Sequence, residues 1–126
     1  MTDRPARALA SGQTLALGRY NVLWFDAPHV PHGWDCGFLA ETTTRTLFCG
    51  DLFTQAGAEN PSITESEILG PSEAMRGTMD YYAHAPTTRQ TLERLAAFEP
   101  RLLACMHGST FSGDGAAQLR GLAAAL

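Results

Sequence analysis

Lysine is absent from this sequence: all nine basic residues are arginines, spread from Arg4 to Arg120 along 126 residues. With a net charge of −4 and no basic cluster, the chain lacks the footprint of a nucleic-acid binder, which must gather cations against phosphates. No apolar run approaches the roughly 18 residues that a membrane span needs. The N-terminal MTDRPARALASGQTLALG carries arginines without a continuous apolar stretch, so it does not read as a secretory signal. Cysteines are few and odd in number. Cys36, Cys49 and Cys105 are widely spaced and form no C-x-x-C, a pattern that fits reduced thiols in a cytoplasmic protein. The tripeptide Asn60-Pro61-Ser62 fails as a glycosylation acceptor because of its central proline. Neither repeats nor low-complexity tracts occur. What remains is one domain over residues 1–126, 44% hydrophobic and 17% charged, long enough for a modest core.

The apolar pattern predicts an α/β chain. RYNVLWFDAP, residues 19 to 28, is rich in strand-favouring residues and ends at a proline that pushes its neighbour towards extended geometry. CGFLAE and RTLFCGD flank the short polar link TTTR and read as a hairpin. RLLACMH, residues 101 to 107, is a buried strand between Pro100 and Gly108. Helices are expected over SEAMRGTMDYYAHA, capped by Ser72, and over TRQTLERLAAFE, opened by a capping box at Thr87 to Gln90. A last helix starts near Asp114. The long polar segment after Asp51, to about Pro71, is too long for an idle connection in a compact domain.

Three polar side chains leave the ends of apolar strands. His32 follows the first in a proline-stiffened loop, Asp51 follows LFCG through a tight glycine turn, and His107 follows LLACM. Two imidazoles and a carboxylate in such positions suit zinc, iron or manganese. Around them, Asp35 is a candidate to accept the second N–H of a ligand histidine, or else a turn cap. His29, separated from His32 by Val30 and Pro31, is expected to support the site or face solvent rather than ligate. His84 is expected near a helix end, where a histidine meets the macrodipole. Tyr81 and Tyr82 are expected to pack one ring inward, with Tyr82 a candidate donor near the site. The cysteines read as small core residues, and Gly113-Asp114-Gly115 as a helix-start turn.

PHGWDCGFLAETTTRTLFCGDLFTQ together with LLACMHGSTFSGDG resembles the second half of a metallo-β-lactamase-fold protein. More narrowly, it is similar to the oxygen-binding diiron proteins and the diiron domain of flavodiiron oxygen reductases. The H-x-x-D of His32 to Asp35 matches the diiron branch better than the hydrolase branch. The resemblance implies half of an αββα sandwich, a mixed sheet with helices on one face, and a dinuclear site. In it His32 would ligate one metal, His107 the other, and Asp51 would bridge both.

The family's first-half motif, H-x-[H/E]-x-D-H, has no counterpart here, which implies a fragment, a truncated gene or a split protein. Two expectations follow. A sheet face that normally packs on the other half should be apolar and seek a partner, either a second copy or a chain supplying the missing half. Three ligands shared by two ions should bind metal weakly without that partner. The functions implied are dioxygen (or nitric oxide) binding or reduction at a pair of irons, zinc-dependent hydrolysis of an ester, lactone or phosphodiester, or a non-catalytic half-domain that assembles.

Overall fold

The computed structural model describes residue 3 and residues 5 to 126; residues 1, 2 and 4, the start of the arginine-bearing N-terminal segment, lie outside it. Seven strands form one mixed sheet. In chain order these are β1 (Thr14–Leu17), β2 (Tyr20–Asp26), β3 (Gly37–Glu41), β4 (Thr46–Gly50), β5 (Ile63–Thr64), β6 (Leu102–Cys105) and β7 (Thr110–Ser112). The sheet order is β1-β2-β3-β4-β6-β7-β5: β1 to β4 make an antiparallel meander, β6 joins β4 in parallel, and β7 runs antiparallel to β6. Three helices among the described residues, α1 (Leu69–Thr78), α2 (Thr88–Ala97) and α3 (Gly115–Ala125), complete the fold. No helix among the described residues is long and apolar enough to cross a membrane.

Successive side chains of a strand face opposite ways, so the register divides the sheet into two surfaces. Phe38, Ala40, Leu47, Cys49, Leu103 and Phe111 point towards α2 and α3, where Leu92, Leu95, Ala96, Leu119 and Leu122 meet them in one buried cluster. The other surface carries Leu15, Leu17, Tyr20, Trp24, Leu39, Phe48 and Ala104, with Trp24 opposite Leu39, Leu39 opposite Phe48 and Phe48 opposite Ala104. No helix of the described residues covers it: Leu17 is 52% and Phe48 49% exposed. The expected α/β arrangement with helices on one face is what the chain adopts.

Local chemistry accounts for the ends of elements. Asp114 caps α3, accepting the Ala117 N–H at 2.9 Å. The β3–β4 turn is tied by Glu41, whose carboxylate accepts from the Thr43 and Thr44 N–H groups (both 2.7 Å) and from the Thr44 hydroxyl (2.5 Å). These bonds, the Thr44 hydroxyl foremost, hold the Glu41 carboxyl down to about 2. Arg45 clamps the far side of that turn to the end of α2 through the carbonyls of Phe98 and Glu99.

Several elements depart from expectation. α1 begins at Leu69, three residues before Ser72, because Pro71 occupies the first turn, where its missing N–H costs nothing. Ser72 is therefore a buried residue inside the helix and not its cap, and its hydroxyl has no partner. α1 also stops at Thr78, so Asp80 to Pro86 form an irregular segment rather than helix. Thr87 makes no side-chain cap, so no capping box forms; its carbonyl accepts the Thr91 N–H as an ordinary helical bond. Strands β1, β5 and β7 were not expected. β1 turns back on β2 through Gly18, whose φ of 62° a side chain would resist.

Candidate metal centre

The ends of β4 and β6 and the loop after β2 meet at one rim. The loop is knotted by its own backbone: Ala27 N–H donates to the Cys36 carbonyl and His29 N–H to Trp34 (both 2.9 Å). The Cys36 thiol fills its interior, donating to the carbonyls of Val30 (2.6 Å) and Ala27 (2.9 Å). The Ala83 N–H, bonded to the Pro31 carbonyl at 2.7 Å, ties the loop to the segment after α1. Trp34, 60% exposed, stacks on the His32 ring with centroids 4.4 Å apart.

Within this frame His32 Nε2 lies 2.7 Å from Asp51 Oδ2, and His107 Nε2 lies 3.2 Å from Asp51 Oδ1. The carboxylate thus divides its two oxygens between two imidazoles. A second contact sets the proton count. His32 Nδ1 is 3.1 Å from the Tyr81 carbonyl, which can only accept, so Nδ1 carries the hydrogen. A neutral His32 then turns the lone pair of Nε2 towards a carboxylate oxygen that is also an acceptor. Two acceptors at 2.7 Å need a cation between them, either a proton or a metal ion. By donor chemistry the residues fit part of a two-ion site. They fall short of a whole one: among the described residues no three His, Cys, Asp or Glu groups enclose a common point.

The Asp51 loop is held in a costly conformation. Phe53 is fully buried at φ 60°, a left-handed backbone that a bulky residue rarely adopts. Buried Gln55 bolts this loop to His107's: its N–H donates to the His107 carbonyl (2.9 Å), its amide oxygen accepts the Ser109 N–H (3.2 Å), and its amide nitrogen donates to the carbonyls of Phe53 and Ser109. Gly108, at φ 110°, passes so close that a Cβ there would sit 2.6 Å from Gln55 Cβ. Thr54 donates its hydroxyl to the Asp51 carbonyl at 2.8 Å. His32, Asp51, Thr54, Met79, Tyr81 and His107 line a shallow cavity of about 170 Å³ over the rim.

The structure brings His32, Asp51 and His107 together and leaves the other four candidates outside. Asp35 is exposed and does not touch His32; the Tyr81 carbonyl takes the N–H it was expected to accept. His29 faces solvent, at φ 61°. His84 lies beyond the end of α1, not at it, and bonds Asp80 Oδ2 through Nε2 at 2.7 Å; that bond lowers the Asp80 carboxyl. Tyr82 is buried against Tyr81 (centroids 4.7 Å) and does not line the cavity; burial pushes its hydroxyl up. Gln55 and the Tyr81 carbonyl went unseen in the sequence. A buried glutamine within GDLFTQ, beside a glycine after His107, was the available signal for the first. A backbone carbonyl leaves none.

Comparison with known proteins adds the fold. No family model and no curated protein matches the chain. Among solved structures, rubredoxin oxygen:oxidoreductase of Desulfovibrio gigas superposes with a TM-score of 0.78 at 20% identity, over 98% of this chain and 33% of that one. The flavodiiron protein of Giardia intestinalis gives 0.65 at 20% identity, over 93% and 28%. An archaeal metallo-β-lactamase superfamily protein of Sulfolobus tokodaii gives 0.51 at 15% identity, over 91% and 37%. The chain therefore spans about a third of the length of these proteins.

Proposed function

We propose that this chain, which has the fold of a metallo-β-lactamase half-domain, supplies His32, Asp51 and His107 to a dinuclear non-haem metal centre of the dioxygen-binding or dioxygen-reducing type, with iron the expected metal. The observation that carries this reading is the division of the Asp51 carboxylate between two imidazoles, His32 at 2.7 Å from one oxygen and His107 at 3.2 Å from the other. Two imidazole nitrogens and both carboxylate oxygens converge on one rim, the donor set that a pair of cations would take. Bound there, a metal pair supplies positive charge and, for iron, redox equivalents. The names of the similar structures, an oxygen:oxidoreductase and a flavodiiron protein, support iron and oxygen over zinc and hydrolysis.

The protein residues have distinct parts in this reading. The Tyr81 carbonyl fixes the His32 tautomer and ring plane, as supporting hydrogen bonds to ligand histidines commonly do. Gln55 and Gly108 set the separation of Asp51 from His107. Met79 and Tyr81 give the cavity an apolar wall beside the three candidate ligands. The remaining donors come from a unit seated on the bare sheet surface, within the same protein or outside it, since Phe48 and Ala104 on that surface lie a few residues upstream of Asp51 and His107. That unit is a complementary half-domain or a second copy.

Anaerobic titration with Fe(II), and separately with Zn(II), followed by elemental analysis and sedimentation, tests this. Metal is expected to be held weakly by the monomer, tightly in the larger assembly, and not by Asp51→Asn. Equal retention by Asp51→Asn, or no retention in any assembly, overturns it. Retention of zinc with ester or phosphodiester turnover moves the assignment to the hydrolytic branch.

A further inference from the structure

Directly beneath the rim, two thiols stand side by side. Cys49 alternates with Leu47 and Cys105 with Leu103, and Leu47 pairs directly with Leu103, so both thiols face the helix-covered side. Phe48 pairs with Ala104 and Gly50 with Cys105; the shift between them leaves Cys49 without a partner of its own and abreast of Cys105. Each thiol donates to the carbonyl two residues upstream on its own strand, Leu47 for Cys49 and Leu103 for Cys105, both at 3.6 Å. The two side chains therefore lean the same way on parallel neighbours. Burial, and after it the adjacent Cys105 thiol, push Cys49 up. Cys49 lies one residue along from Gly50, the partner of Cys105, so a strand spacing of about 4.8 Å and a rise of about 3.3 Å put the two Cα atoms roughly 6 Å apart, within the window of about 4.4–6.8 Å that a disulfide spans.

We propose that Cys49 and Cys105 are a reversible dithiol–disulfide pair, oxidised by a peroxide, that ties the two strands presenting Asp51 and His107. Access is unequal: Cys49 is fully buried and Cys105 partly exposed, so the peroxide reaches Cys105 first. The Cys105 sulfur attacks one peroxide oxygen; the O–O bond breaks, one water leaves, and a sulfenic acid remains. The Cys49 sulfur then displaces that hydroxyl as a second water and the S–S bond forms. Two thiols lose two electrons and two protons, and one peroxide becomes two waters. Cys36 takes no part, being committed to the Val30 and Ala27 carbonyls in another loop. Neither step uses a metal, so this proposal and the metal reading fail separately.

Arginine spacing makes the test direct, because trypsin places the three cysteines in three peptides, 20–45, 46–76 and 102–120. Hydrogen peroxide is added to the full chain and to Cys36→Ala, and intact mass and unreduced digests are read. The expected result in both is a loss of about 2 Da, reversed by dithiothreitol, with 46–76 joined to 102–120 within one chain. Unreacted thiols, a Cys105 oxidised beyond the sulfenic stage without a link, or a link through Cys36 or between chains would each overturn it.

Discussion

Leu47 and Leu103 lie on one side of the sheet with no exposure at all, while Phe48, one residue along, is 49% exposed on the other. The same strands therefore build two surfaces of comparable apolar character and opposite fates. The covered side meets α2 and α3, which the chain itself provides. The bare side displays Leu17, Tyr20 and Phe48 with nothing above them among the described residues. Burying one large apolar side chain stabilises by about 1.5–3 kcal/mol, so a contiguous patch of this kind favours a partner. The two surfaces end at the same rim, where the candidate ligands stand. The contrast teaches that the chain closes one side of the sheet with its own helices and leaves the other open among the described residues.

The largest test of the contrast is Leu103→Ala, which empties space on the covered side. It should lower unfolding free energy by about 2–5 kcal/mol in urea titration. Next comes the rim. Asp51→Asn should reduce metal affinity by more than the ~10–100-fold that loss of a supporting hydrogen bond costs, with the urea midpoint nearly unchanged. Gly108→Ala should destabilise by more than about 1 kcal/mol, because φ 110° resists a side chain and Gln55 already occupies the space.

Glu41 sharpens the comparison through pH. Its carboxyl falls from 4.5 to about 2 on folding, so it stabilises the folded state above 4.5 and loses that contribution as pH drops towards 2. Glu41→Gln should therefore lower the thermal midpoint at neutral pH, with the difference from wild type vanishing in acid. The smallest change in monomer stability is expected for Phe48→Ser, within about 0.5 kcal/mol. The same variant should weaken self-association and dye binding to exposed apolar surface. If it instead unfolds the chain as Leu103→Ala does, the two surfaces are not different in kind.

The strands of residues 20–26, 37–41, 46–50 and 102–105 were legible because their apolar residues recur within bounds set by proline, glycine and polar turns. β5 and β7 were not, since two- and three-residue strands exist only by pairing with each other and with β6. The early start of α1 was hidden because Ser72 looked like a cap, whereas Pro71 fits the first turn and leaves Ser72 inside the helix. The three rim residues were legible one at a time as polar groups at strand ends. Their supports were not: Gln55 acts across 54 residues of chain, and the Tyr81 carbonyl has no side-chain signature.

By itself the sequence determined the local geometry: extended runs, the helix capped by Asp114, and glycines where only glycine fits. These follow from short-range sterics and hydrogen bonding, which a few neighbouring residues settle. Tertiary structure alone decided that a loop after β2 and the ends of β4 and β6 share one rim. Bringing His32 to Asp51, and Asp51 to His107, depends on which strands pair and in what register. The burial of one face of the sheet against α2 and α3 fixes that pairing, and no local window contains it.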